Sequence, residues 1–269
     1  MDVLEIDRFG VVDALAWSSN GVLAAARFFE SSLTGTDAVR YRIELWDLRR
    51  GAVTNSFEGR APIWVSGDGR LFAWQGAEKG TMHWRDFGTG RAGNARQRVF
   101  RFVPVGLALS WDGRHLAANN VEATLLWDTA TGAVSASAFP ANVPDGPLHS
   151  MVFSPDDTLL IAGGEYGDVY VWDLVKHEEL ATLTSHPGRV ASLAVSPDGK
   201  TLATGDANGL IKLWALERPQ GSFGSRRQVR ELLTLRTNKE EVNNLRFSPD
   251  GSVLASCGAD GIVRLWRAR

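Results

Sequence analysis

Three groups of residues in this 269-residue chain have types and spacings that could do chemistry. Ala194-Val195-Ser196-Pro197-Asp198-Gly199-Lys200-Thr201 ends like a phosphate loop, in which backbone N–H groups cradle phosphates and a lysine reaches them. The first glycine of that pattern is alanine here, and the context is strand–turn–strand where phosphate binding needs strand–loop–helix. The same turn returns elsewhere without lysine, so it reads as a hairpin. Five histidines (His83, His115, His149, His177, His186) and the single Cys257 are the second group. None pairs with another at metal-ligand spacing, so no metal and no cofactor is expected. The third group is the serines and carboxylates. No serine sits in a G-x-S-x-G elbow, and the aspartates fall mostly in turns, where they cap their own backbone. No catalytic residue is assigned, and the chain reads as a non-enzyme.

The elements that hold these residues form a repeat. A tryptophan closes a short apolar run six times, at Trp46, Trp84, Trp127, Trp172, Trp214 and Trp266, with successive spacings of 38, 43, 45, 42 and 52. A period near 40 marks a repeat architecture. The clearest unit begins with Val190-Ala191-Ser192-Leu193-Ala194-Val195, which alternates as a strand does. Ser196-Pro197-Asp198-Gly199 is a turn: proline presets its backbone angle and glycine accepts positive φ. Thr201–Thr204 forms a second strand, Asp206-Ala207-Asn208-Gly209 a second turn, and Leu210–Trp214 a third strand. The serine-led turn recurs at Ser18, Ser66, Ser110, Ser154 and Ser248. The step from that serine to the tryptophan is constant to within a single position in units two to six: Ser66 to Trp84, Ser110 to Trp127, Ser154 to Trp172, Ser196 to Trp214 and Ser248 to Trp266. In unit one, from Ser18 to Trp46, it is much longer. Unit one therefore carries an insertion between its second and third strands. No stretch sustains a 3.6-residue apolar stripe, so no substantial helix is expected.

The phrase SPDG…LA(S/T)G…DG…(I/V)xLW(D), clearest in units four to six, resembles the WD-repeat (WD40) family of β-propellers. The resemblance covers essentially the whole chain, residues 1–269, as one domain. It implies an all-β fold of four-stranded antiparallel sheets, or blades, stacked around a ring. Outer-strand candidates are Val53–Phe57, Arg98–Phe102, Val134–Phe139, Glu179–Thr184 and Glu231–Leu235. The chain stops three residues after Trp266, so the sixth outer strand is sought in Val3-Leu4-Glu5-Ile6-Asp7-Arg8-Phe9. The steps from tryptophan to next turn serine (Trp46 to Ser66, Trp84 to Ser110, Trp127 to Ser154, Trp172 to Ser196, Trp214 to Ser248) set a range. The step from Trp266 to the chain end and on from Met1 to Ser18 falls inside it. Six blades closed by an N-terminal outer strand are expected, or seven if the chain belongs to a longer one.

The resemblance also implies roles. The marker tryptophans belong at sheet-to-sheet contacts. A hydroxyl, an aspartate and a histidine of each repeat often bond around them. His186 fits that histidine, with Thr204, Trp214 and Asn208 as partners, the last where the family prefers aspartate. Unit six keeps Ser256, Asp260 and Trp266 without a histidine. Partners of the family dock most often on the narrower top face. That face would carry Phe28, Phe29, Arg40 and Tyr41 of the unit-one insertion, with Tyr166, Arg189, Asp206 and Asn208. Aromatics mixed with arginine suit an interface hot spot; the alternative is an extended hairpin folded back on its own blade. A second insertion, residues 217–230, reads from its Gly, Ser and Arg content as a mobile loop on the opposite face.

Bulk properties bound the reading. Net charge is −2, which gives no electrostatic case for nucleic-acid or anionic-membrane binding. No apolar stretch approaches the ~18 residues a membrane helix needs. One cysteine suits a reducing compartment and Met1–Arg8 is unlike a signal peptide, so a cytoplasmic setting is expected. The expectation is a monomeric, non-catalytic scaffold for one or more proteins or peptides. A propeller enzyme or small-ligand binder using the central channel, and a sensor module of a larger signalling protein, stand as alternatives.

Overall fold

A computed structural model describes residues 11–17, 22–29, 40–47, 52–58, 60–66, 71–75, 81–86, 92–96, 106–119, 124–136, 146–217, 228–236 and 240–267. Their regular structure is all β, in six antiparallel sheets whose strands follow chain order. The first sheet holds β1 (Val11–Trp17), β2 (Val22–Phe29), β3 (Arg40–Asp47) and β4 (Ala52–Glu58). The second holds β5 (Arg60–Val65), β6 (Leu71–Gln75), β7 (Thr81–Asp86) and β8 (Ala92–Arg96). The third holds β9 (Gly106–Leu109), β10 (His115–Asn119), β11 (Thr124–Asp128) and β12 (Val134–Ala136). The fourth holds β13 (Leu148–Phe153), β14 (Leu159–Gly164), β15 (Asp168–Asp173) and β16 (Glu178–Thr184). The fifth holds β17 (Val190–Val195), β18 (Thr201–Asp206), β19 (Leu210–Glu217) and β20 (Gln228–Arg236). The sixth has three strands among the described residues: β21 (Val242–Phe247), β22 (Val253–Gly258) and β23 (Val263–Arg267).

Two sequence expectations change here. The fourth strand of the second sheet is Ala92–Arg96, paired to β7, and lies upstream of the expected Arg98–Phe102, which falls outside the described residues. The 217–230 insertion is partly ladder: β19 and β20 run on past the marker tryptophan to the Glu217–Gln228 pair. There Leu216 is buried, and Arg230 meets Glu217 at 3.1 Å. The expected outer strand at residues 3–9 lies outside the described residues.

The chain divides into two units. One takes Met1–Val103 with Thr129–Gly132, the other Pro104–Asp128 with Ala133–Arg269. In the first, β1 neighbours β5. In the second, the leading strands β9, β13, β17 and β21 neighbour one another in that order. There three marker tryptophans lie across the preceding sheet. Trp172 packs on Ala108 and Ala117, Trp214 on Leu159, Ile161, Val169 and Val171, and Trp266 against Ala194, Ala203 and Ile211. Burying such a ring removes on the order of 150–250 Å² from water, which explains why the spacing holds even where sequence drifts.

The serine-led turn is built from its own side chains. In the fifth sheet the Ser196 hydroxyl accepts the Thr201 N–H (2.9 Å) and donates to the Asp198 carboxylate (2.5 Å). Ser110, Ser154 and Ser248 repeat both bonds. The hydroxyls of Ser248 and Ser252 and the Ser252 N–H hold the Asp250 carboxyl down at about 2. The turn's fourth residue has φ near +70° at Gly113, Gly199 and Gly251, a region that glycine enters without steric cost.

A second device ties sheet to sheet. The Ser150 hydroxyl donates to the Val190 carbonyl of the next sheet at 3.0 Å, and Ser192 donates to the Val242 carbonyl at 2.9 Å. Opposite each serine on the second strand stands a glycine, Gly163 or Gly205. Both leave room for the bond and for the valine of the neighbouring sheet.

Candidate functional site

The polar centre of the second unit lies under the loop entering the fifth sheet. Thr204 and Asp206 stand two apart on β18 and so point to one face. His186, in the loop before β17, inserts between them. Its Nε2 is 2.6 Å from the Thr204 hydroxyl and its Nδ1 is 3.2 Å from Asp206 Oδ2. The Trp214 indole N–H donates to the same hydroxyl at 3.0 Å. The other Asp206 oxygen accepts the N–H groups of Asn208 (2.9 Å) and Leu210 (2.8 Å). A carboxylate facing Nδ1 assigns the proton there, leaving Nε2 to accept the threonine O–H. Hydroxyl, imidazole and carboxylate stand in the order of a nucleophilic relay. Yet the side chains of His186 and Asp206 are 0% exposed and Thr204 is buried, so no substrate reaches the hydroxyl.

Two sequence assignments are corrected at this centre. Asp206, expected on the docking face, is fully buried and caps its own turn. Asn208, expected as the network's fourth member, is exposed, and the carboxylate that meets His186 belongs to Asp206. In the sixth sheet Trp266 donates to Ser256 at 2.9 Å, while Asp260 pairs with Arg264 at 2.7 Å. Trp84 and Trp127 are buried; the Trp46 side chain lies outside the description.

Above this centre the turns interlock. His186 N–H donates to the Gly167 carbonyl at 3.2 Å. Gly167, at φ +92°, sits so close that a Cβ would come 2.0 Å from the His186 carbonyl oxygen. Gly188 packs in turn on the Asn208 amide, where a Cβ would come within 2.7 Å. Tyr166 rides on this frame, 68% exposed, with Gly146 beneath its ring. Beside it His149 contacts Glu165. Arg189 meets Glu241 at 2.5 Å, linking the fifth and sixth sheets, which leaves its side chain about a third exposed at 36%. Tyr166, Asn208 and Arg189 thus share one end of adjacent sheets. Phe28, Phe29, Arg40 and Tyr41 lie in the other unit. There Phe28 pairs with Tyr41 and Phe29 with Arg40, so the insertion begins as an extended hairpin. Among the described residues no group of three His, Cys, Asp or Glu side chains could hold a metal ion, and no helix is long and apolar enough to cross a membrane.

Comparison with known proteins agrees with this architecture. Residues 135–173, 177–215 and 229–267 match the family model described as WD domain, G-beta repeat. A human protein, DmX-like protein 1, is 29% identical over 145 residues, covering 52% of this chain and 5% of its own length. Cell division cycle 20.1, cofactor of APC complex, of Arabidopsis thaliana is 31% identical over 160 residues, covering 59% of this chain and 32% of its own. A Drosophila melanogaster LST8 homolog is 24% identical over 129 residues, 46% of this chain and 38% of its own length. The chain therefore spans well under two thirds of each relative. A chain in the crystal structure of the mitotic checkpoint complex superposes with a TM-score of 0.70 over 96% of this chain and 87% of that one, at 16% identity, which shows the fold. Repeats, sheets and fold agree: residues 135–173, 177–215 and 229–267 match WD repeats, and the chain is similar to proteins that carry them.

Proposed function

We propose that this protein is a non-catalytic scaffold that docks a protein or peptide on the end of the fourth and fifth sheets marked by Tyr166 and Asn208. The carrying observation is Tyr166, 68% exposed on a turn whose neighbour Gly167 is wedged against His186. An aromatic held on a rigid frame loses little entropy on docking. The Arabidopsis relative is named a cofactor of a complex and the structural neighbour is a member of one, which favours assembly over turnover. Tyr166→Ala with Asn208→Ala should abolish capture of a lysate protein that the wild type retains, without moving the melting temperature. Identical capture by both proteins, or turnover of a metabolite by the wild type, would overturn the reading.

The scaffold we propose is a ring of six sheets, with residues 3–9 as the fourth strand of the sixth. Two observations support it. The outer edge of β23 has no partner among the described residues, and a bare edge invites aggregation. Val263 and Leu265 are 68% and 61% exposed, while Val169 and Val171, which hold their places in the fourth sheet, are fully buried. Deleting residues 1–9 should lower the melting temperature by roughly 5–10 °C, since a lost strand removes a few kcal/mol. An unchanged melt would exclude this closure.

A further inference from the structure

The serine-led turns of the second unit stand in a row, the fourth residue of each against the second residue of the turn before. A Cβ on Gly199 would lie 3.8 Å from Pro155, and one on Gly251 would lie 3.6 Å from Pro197. Proline has no N–H, so the second residue of those turns asks for no acceptor. At the junction of the third and fourth turns both residues differ. Trp111 stands where proline stands elsewhere, and its N–H returns. Asp157 stands where glycine stands, and its carboxylate accepts the Trp111 N–H at 2.6 Å and the Asp112 N–H at 2.9 Å. Asp157 holds φ at +55°, a region costly for any residue with a Cβ. Two locally unfavourable choices thus occur together and answer each other.

We infer that Trp111 and Asp157 form a latch between sheets: the Asp157 carboxylate locks the third sheet's turn to the fourth and so fixes the Trp111 indole, 43% exposed, in one orientation. This lies at the end of the sheets opposite Tyr166 and is independent of the docking site proposed there. The charged groups around the latch are Asp112 and Arg114 of the third turn and Asp156 of the fourth. Arg114 meets Asp112 at 3.4 Å, and Asp156 is engaged by Ser154, so neither takes the latch's place.

The test turns on a sign. Backbone geometry alone makes Asp157→Gly stabilising, because glycine tolerates the positive φ held there. The latch makes it destabilising. Expected results are a lower unfolding midpoint for Asp157→Gly and exchange of the Trp111 and Asp112 amides faster by about ten-fold, measured by NMR. Adding Trp111→Pro to Asp157→Gly recreates the proline–glycine junction and should return the midpoint to the wild-type value. A midpoint at or above wild type in Asp157→Gly, unchanged exchange at Asp112, or additive effects in the double variant would each overturn the latch.

Discussion

Gly163→Ala is expected to destabilise the protein by about 2–3 kcal/mol, the range for forcing an extra methyl into a packed interior. Gly205→Ala should cost somewhat less. The added Cβ at 163 would meet the Ser150 hydroxyl at 2.6 Å and both the Val190 carbonyl oxygen and its Cγ1 at 2.7 Å. One of those contacts is backbone of the adjacent sheet, which cannot rotate away. At 205 the nearest atoms are the Ser192 hydroxyl at 2.6 Å and the Val242 side chain at 2.7 Å, and a side chain can shift in part. Opposing this, alanine restricts the unfolded chain, an effect of only about 0.4–1 kcal/mol. The clash wins, and it also breaks the serine-to-carbonyl bond that joins the sheets. Gly261→Ala is the control. Its φ is +71° with open space around it, so its cost should stay near the roughly 1–2 kcal/mol of the backbone conformation alone. Urea denaturation of the three variants distinguishes steric from conformational cost. Gly163→Ala within about 0.5 kcal/mol of wild type, a typical surface effect, would show that the sheets are not held by this contact.

The sequence revealed most where the chemistry is local. The serine-led turns need only residues within five positions of one another; the turn and its aspartate cap were legible from residue type and order, while the serine hydroxyl's bond to the N–H five positions on was not read. The marker tryptophans were legible because a large ring at a fixed period has to be buried between layers. What failed required knowing strand parity or a neighbouring sheet. In Asp206-Ala207-Asn208-Gly209 the position preferred by the family picked out Asn208. Parity along β18 would have picked out Asp206, because it lies on the face of Thr204 while Asn208 is already in the turn. The Ser150 and Ser192 staples and the Asp157 latch join residues 40, 50 and 46 apart, each from a different sheet. No local pattern marks them, although Asp157 standing where every related turn ends in glycine was a visible irregularity. The candidate docking residues were picked by type, and their accessibility was not legible: Asp206 and Tyr166 lie on neighbouring turns, one sealed and one open.

Asp206→Ala is expected to cost about 2–4 kcal/mol, because it leaves buried hydrogen-bond donors without their acceptor. The carboxylate accepts two backbone N–H groups and faces the histidine ring, and its side chain is 0% exposed, so water cannot replace it. Alanine leaves the Asn208 and Leu210 amides without an acceptor in a dry interior, where each unsatisfied group costs on the order of 1–3 kcal/mol, and removes the carboxylate that stands 3.2 Å from His186 Nδ1. Relaxation of the turn recovers part of that, which keeps the total below the sum. Asp206→Asn retains an acceptor of the same shape and should cost less, which separates charge from hydrogen-bond count. Asn208→Ala alters an exposed amide and should stay within about 0.5 kcal/mol of wild type. The order Asp206→Ala, Asp206→Asn, Asn208→Ala in thermal melts is therefore diagnostic. If Asn208→Ala proved the worst, the carboxylate would have no part in the network. The consequence extends to the surface. His186 is wedged against Gly167, and Tyr166 rides on that turn, so loosening the buried centre should mobilise Tyr166 before the sheets melt. Amide exchange at residues 166–168 that accelerates in Asp206→Ala below its melting temperature would show that the buried network holds the proposed docking face in place.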